Sequence, residues 1–374
     1  MRMGAGGFLN TQCRLEKGVL RLIAMLRVLA LSLIGGYLFS LLHIPIPWML
    51  GPIVVVMLTQ FVYKGPLKWS GKMRDLGVVM VGTVIGVQFN ISLFGMMGSI
   101  LFYMIVLNII LIGGAIGIAY LTGKWAKIPL RAAVLAAIPG GLGQIIVFAE
   151  EEKVKEIGII SYFQVIRLLL VVVFVPFIVA GQVMSKPPSD AKLTISLVLL
   201  IALAWGCSHL MKRIQLPVAF FITPIILLIA LQLTTPIAMP PVPGIVMVVA
   251  QLLIGAHIGL MLKPDMIKLP MRVLLGGIFS ALALIALTFG SSFLMSFALE
   301  TTFATSFLST APGGLDQMVL LADAVKADVS LISMFQTFRL LFIFIIIMPL
   351  MKVFYRWWDK KETVYNSEGH VIKS

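Results

Sequence analysis

Cysteine and histidine are scarce in this chain. Two cysteines, Cys13 and Cys207, occur among 374 residues, and Cys207 lies inside an apolar run, so no disulfide framework is expected. The four histidines, His43, His209, His257 and His370, are scattered without metal-ligand spacing. Charge is scarce as well: 12% of residues are Asp, Glu, Lys or Arg, against roughly 25% in soluble domains. Acid is the rarer sign, with 15 Asp and Glu against 29 Lys and Arg. No phosphate-binding loop is present, which argues against ATP-driven work by this chain. No Ser/His/Asp or Cys/His spacing marks a nucleophile. The chain is therefore expected not to be an enzyme, and to need no metal or other cofactor.

Apolar residues take the place of what is missing. They make up 60% of the sequence, the mean hydropathy is +1.07, and runs of about 20 residues recur, enough to cross a ~30 Å hydrocarbon core. The expected class is an all-α polytopic membrane protein of the bacterial cytoplasmic membrane, with the lipid bilayer as its first partner. A net charge of +14 would suggest nucleic acid in a soluble protein. Here cytoplasmic loops account for it, because they collect Lys and Arg and anionic lipid favours them there. No nucleic-acid partner is expected.

The chain repeats itself. Ala137-Ile138-Pro139-Gly140-Gly141-Leu142-Gly143-Gln144 returns, almost half the chain later, as Thr310-Ala311-Pro312-Gly313-Gly314-Leu315-Asp316-Gln317. Each copy is followed by a phenylalanine, a glutamine and an arginine: Phe163, Gln164 and Arg167, then Phe335, Gln336 and Arg339. The match extends upstream, with Leu38, Pro45 and Pro52 answering Leu210, Pro217 and Pro224, and Gly82 and Gly86 answering Gly255 and Gly259. The whole unit is duplicated. The expected organisation is a cytoplasmic N-terminal segment 1–19, membrane repeat 20–184, linker 185–192, second repeat 193–357 and a cytoplasmic tail 358–374.

Loop charge predicts that the repeats are inverted. Basic residues fill 64–74 and 123–131 in the first half but 212–213 and 263–272 in the second, and the equivalent loops lack them. Five apolar segments lie between the basic loops 123–131 and 263–272. For both loops to face the cytoplasm, one of those segments must enter and return. Pro139-Gly140-Gly141 breaks segment 129–149 into two short arms, since Pro removes a helix hydrogen bond and Gly permits a sharp turn. Segment 302–322 matches it. Two inverted repeats, each of five transmembrane helices plus one re-entrant hairpin, with both termini cytoplasmic, are the expected architecture; the alternative is a broken helix that crosses fully, with a different segment failing to cross.

Irregular backbone at membrane depth lines a cavity or is buried in protein, and the arm after each Gly-Gly would aim free N–H groups at mid-membrane. Arg167 and Arg339 lie about ten residues into their segments, roughly 15 Å deep. Gln164 and Gln336, three residues earlier, share a helix face with them. Two readings of each arginine stand: a fork for a carboxylate, phosphate or sulfonate, or a cap for broken-helix carbonyls or an internal acid. Asp316, matched by Gly143, reads equally as a site for a coupling proton or cation and as a neutraliser of an arginine. Gln144 and Gln317 are paired tip residues placed to touch a ligand. The candidate substrate site is thus Pro139, Gly140, Gly141, Gln144, Gln164, Arg167, Pro312, Gly313, Gly314, Asp316, Gln317, Gln336 and Arg339. Thr83, Gln88 and His257 flank the short third segments and are candidates for the same cavity, while the glycines beside them read equally as helix-packing positions.

On the doubled Pro-Gly-Gly-Leu-x-Gln and Phe-Gln-x-x-Arg text, residues 20–357 resemble the membrane AbrB family. It is distinct from the small soluble DNA-binding regulator of the same name. The resemblance implies a duplicated membrane protein of a kind labelled ammonia monooxygenase or membrane regulator. The histidine pattern gives the oxidation label no support. Two functions remain: a secondary transporter moving a small anionic metabolite through a midplane site by rocking of one helix bundle, and a membrane sensor that affects gene expression without transport. A homo-oligomer is compatible with either.

Overall fold

The structure, a computed structural model, describes residues 5–88, 97–179, 192–214, 218–235 and 239–355. Among these residues all regular structure is helical. The first half holds α1 (Ala5–Leu41), α2 (Pro47–Val62), α3 (Gly71–Gln88), α4 (Met97–Ala126), α5 (Leu130–Ala137), α6 (Leu142–Glu151) and α7 (Ile157–Val179). The second holds α8 (Ile195–Arg213), α9 (Ala219–Thr234), α10 (Gly244–Gly259), α11 (Met271–Ala298), α12 (Phe303–Thr310), α13 (Leu315–Ala324) and α14 (Val329–Phe342). Beyond α14 the helix widens into a π turn, Ile343–Ile347, and the apolar span runs on to Tyr355.

Among the described residues, seven helical spans, carried by α1, α4, α7, α8, α10, α11 and the α14 segment, are long and apolar enough to cross a membrane. Their outward faces carry bare apolar side chains: Phe102 is 63% exposed and Leu199 63%. Water opposes such surface and lipid accommodates it. This is a multi-pass helical membrane protein. The shorter apolar helices α2 and α9 have 16 residues each, about 24 Å of rise.

The duplication is written in the backbone. Both 16-residue helices follow a left-handed residue, Ile46 at φ 48° and Val218 at φ 53°, and both contain a proline, Pro52 and Pro224. Two further matched pairs take positive φ without being glycine: Lys127 and Glu300 before α5 and α12, and Lys153 and Lys326 after α6 and α13. Helices α5 and α12 have 8 residues each, and α6 and α13 have 10. Each short pair is parted at Pro-Gly-Gly, the break that the sequence predicts.

The first break does not draw on glycine's conformational freedom at Gly141. Gly141 sits at φ −69° and ψ 127°, extended backbone that any residue adopts. What the glycines allow is close approach. A Cβ on Gly140 would lie 2.9 Å from Ile145 Cδ1, and one on Gly141 would lie 2.1 Å from Gln144 Oε1.

The chain forms two compact units, and each takes elements from both halves. The first consists of Met1–Leu93, Leu169–Lys268 and Asp316–Ile332. In it α2 packs on α1 and α10, and α3 packs on α9 and α10. The matched glycines set these contacts. Gly82 faces the Phe221 carbonyl and Pro224 of α9, and Gly255 faces the Met49 carbonyl and Pro52 of α2. Backbone meets backbone where small residues allow it, as membrane helices require. Of the two readings of these glycines, helix packing describes their contacts.

The second unit consists of Phe94–Leu168, Leu269–Leu315 and Ser333–Ser374. Helices α4 and α11 pack together, α5 lies on α4 and α12 lies on α11. Gly277 meets Tyr162, whose hydroxyl donates to the Leu274 carbonyl at 2.9 Å. Phe289, Phe293, Phe303 and Phe307 form one aromatic cluster between α11 and α12. Thr302 caps α12 by accepting from the Thr305 N–H at 3.2 Å, worth about 1 kcal/mol. Most of the expected linker 185–192, the tail 358–374 and the Gln88 side chain lie outside the described residues.

Candidate functional site

A helix that stops leaves its last four carbonyls without intrahelical donors. At the end of α5, Val134 accepts from the Ile138 N–H at 3.1 Å and Ile138 from the Gly140 N–H at 2.8 Å, while Leu135, Ala136 and Ala137 need partners from elsewhere. They find them in α7. Gln164 Nε2 donates to the carbonyls of Leu135 (3.0 Å), Ala136 (3.3 Å) and Ile138 (3.0 Å). Arg167 Nη1 donates to Ala137 (3.4 Å) and Ile138 (3.0 Å), and its Nη2 donates to Gln164 Oε1 at 2.5 Å. One turn of α7 thereby caps the whole end of α5.

The second copy repeats the arrangement. Gln336 Nε2 donates to Leu308 (2.6 Å), Ser309 (3.4 Å) and Ala311 (3.1 Å). Arg339 Nη1 donates to Thr310 (3.2 Å) and Ala311 (2.8 Å), and its Nη2 bonds Gln336 Oε1 and the Gly313 carbonyl, the latter at 3.3 Å. The first clamp has no counterpart to that Gly313 bond among the described residues. A glutamine serves this position because it donates to carbonyls through one end and accepts from the arginine through the other.

These guanidiniums are deeply placed: Arg167 is 7% exposed and Arg339 3%. Each has five N–H donors in a planar fork. The capping bonds occupy Nη1 and part of Nη2, while the Nε–H of both arginines is buried without a partner. No carboxylate pairs with either among the described residues. The two guanidiniums are also near enough to feel each other's charge. Two like charges, buried and unneutralised, with spare donors, favour an anion.

The other predicted residues divide between the units. Pro139, Gly140 and Gly141 join α5 to α6, with Gln144 folded back over Gly141. Pro312, Gly313 and Gly314 lead from α12 toward α13 and belong, like both clamps, to the second unit. Asp316 and Gln317 open α13 and belong to the first unit, with Gln317 buried and Asp316 half-buried. Asp316 is within the electrostatic reach of Arg74 in α3, and so is half-buried His257 of α10. Arg74 itself stands 3.5 Å from Asp75. Thr83 spends its hydroxyl on the Val79 carbonyl at 2.8 Å.

Sequence reasoning missed a second matched pair. Gln60 of α2 donates to the Leu262 carbonyl at 2.7 Å, and Gln232 of α9 donates to the Gly86 carbonyl at 2.6 Å. Each ties a short helix to the end of the third helix of the other half. The signal was present: both glutamines stand eight residues beyond their helix proline, in otherwise apolar text.

The chain is similar to known proteins over most of its length. The family described as "Transition state regulatory protein AbrB" matches residues 48–358. The chain is 25% identical over 376 residues to "Uncharacterized protein YhjN" of Bacillus subtilis, covering 91% of this chain and 97% of that protein. It is 25% identical over 333 residues to "Putative regulator AbrB" of Escherichia coli, covering 84% of this chain and 91% of that one.

Proposed function

The chain belongs to the AbrB family, and from that premise we propose that it is a secondary transporter for a small anionic metabolite, with Arg167 and Arg339 holding the anion. The observation that carries the reading is the pair of buried, unneutralised guanidiniums, each with an unpartnered Nε–H. A charged side chain at membrane depth costs at least ~2.5–3.5 kcal/mol, and capping a helix end is a task that neutral residues perform elsewhere. A carboxylate, phosphate or sulfonate would accept the spare N–H groups and cancel the mutual repulsion. The free N–H groups that open α6 would add a positive dipole end.

In this reading the short pairs α5–α6 and α12–α13 are re-entrant hairpins within two inverted repeats of five crossings each. Both termini then lie in the cytoplasm, in a bacterial cytoplasmic membrane. In this reading Asp316, whose counterpart in the first copy is Gly143, takes the coupling proton or cation. The protein would move its solute unchanged, without catalysis or cofactor, and a homo-oligomer would suit this role.

The test is flux. Protein in sealed liposomes should take up a small organic anion in a saturable way. Arg167→Lys and Arg339→Lys keep the charge but lose the fork, and each should cut uptake at least about tenfold. Wild-type rates in both variants would remove the arginines from the site. The name of the Escherichia coli relative favours a second reading, a membrane sensor acting on gene expression. Anion binding without any uptake would decide for it.

A further inference from the structure

A cavity of ≈ 260 Å³ opens in the first unit, where the ends of several helices meet. Arg21 and Met25 line it from one face of α1, Gln60 from the end of α2, and Leu260 and Lys263 from the end of α10. The extended residues Leu67 to Ser70 close the remaining side. The walls are fixed. The indole N–H of Trp69 donates to the Leu253 carbonyl at 3.1 Å, and Gln60 donates to Leu262 at 2.7 Å. Behind them Leu67, Trp69 and Leu260 pack against the buried core of Val28, Val56 and Ala256.

The lining is chemically one-sided. Arg21, Lys68 and Lys263 bring three positive charges to the cavity, and among the described residues no acidic side chain lines it. The nearby acid, Asp265, is already paired with Lys268 at 2.8 Å. Three cations around a small concavity repel one another, and an anion with several oxygens relieves this. The volume falls just below that of drug-sized pockets, about 300–1,000 Å³, so it suits a head group better than a large metabolite. The position points the same way. Arg21 lies near the start of the apolar span Gly18–Leu41, and Lys263 lies near the end of the apolar span Gly244–Lys268, so the cations gather where two apolar spans end. Met25, Leu67 and Leu260 supply an apolar floor beside them.

We propose that this cavity binds a phosphate-bearing anion, with the head group of an anionic phospholipid as its source. Its phosphate oxygens accept from Arg21, Lys68 and Lys263, and the glycerol backbone lies toward Met25 and Leu260. Basic pockets between membrane helices take lipid head groups in this way. The site is separate from the clamps, so its failure would leave the transport reading untouched.

The test uses full-length protein in neutral detergent. Phosphatidylglycerol, phosphatidylcholine and soluble glycerol phosphate are added in separate arms, and bound ligand is counted by native mass spectrometry. Phosphatidylglycerol should be retained, and phosphatidylcholine and glycerol phosphate should not. Lys68→Glu with Lys263→Glu should weaken retention at least about tenfold, since each basic residue near an anionic surface matters at that level. Both lysines are exposed, so folding is spared. Lys64→Glu with Lys72→Glu makes the same change of charge outside the cavity and should leave retention unchanged. Equal loss in both double variants would overturn the site in favour of diffuse surface charge. Glycerol phosphate retained as well as the lipid would overturn the lipid as its source.

Discussion

Gln164 and Gln336 each hold a helix end and an arginine together. Each supplies donors to three carbonyls of another helix and presents its oxygen to an arginine one turn away. Replacing Gln336 with leucine keeps the volume and removes the donor. The Leu308 and Ser309 carbonyls then lose the donor they have, while Ala311 keeps its bond from Arg339. A buried unsatisfied carbonyl costs about 1–3 kcal/mol, although membrane hydrogen bonds average nearer ~0.6 kcal/mol. Gln336→Leu and Gln164→Leu should each lower stability by about 1–3 kcal/mol, read as a fall in melting temperature in detergent. A variant melting with wild type would show that water replaces the glutamine. The pairing was legible as far as the sequence allowed: the spacing put glutamine and arginine on one face, and capping stood as one of two readings. Which carbonyls they reach was not legible, because orphan carbonyls belong to the end of a different helix.

The helices α2 and α9 show how the matched glycines and prolines act together. Each carries a proline, and each receives a glycine-bearing helix from the other half of the chain. Gly51 of α2 is tighter still: a Cβ there would lie 2.2 Å from the Gly35 carbonyl oxygen of α1. Backbone cannot step aside as a side chain can, so Gly51→Ala must part α1 from α2. A loss of about 1–3 kcal/mol, or more, is expected for such overpacking. At Gly141 the obstacle is the mobile end of Gln144, and Gly141→Ala should cost less than about 1 kcal/mol. Thermal unfolding of the two variants side by side checks the order, and a reversal would contradict this account of the packing. The sequence announced both breaks, because Pro-Gly-Gly interrupts apolar periodicity. It did not announce the partners of these glycines. Small residues mark a close approach without naming what approaches, and the partner of α3 lies in α9, far along the chain.

The matched left-handed residues turn the duplicated chain into a test of its own orientation. Lys127 and Glu300 occupy equivalent corners, just before α5 and α12, and share nearly the same backbone, φ 55° and φ 50°. A direct repeat would place both on one side of the membrane. The proposed inverted arrangement predicts opposite sides, as the loop charges suggest: 123–131 carries Lys124, Lys127 and Arg131, whereas 298–303 carries no Lys or Arg. Replacing Cys13 and Cys207 with serine removes both native thiols, after which Lys127→Cys and Glu300→Cys each provide one. In intact cells an impermeant maleimide should label the Glu300→Cys protein and spare the Lys127→Cys protein, with the reverse in inside-out vesicles. Labelling of both from one side would make the halves parallel. The two hairpins would then enter from the same face, and two clamps approaching from the same side would no longer frame a site open to each side in turn.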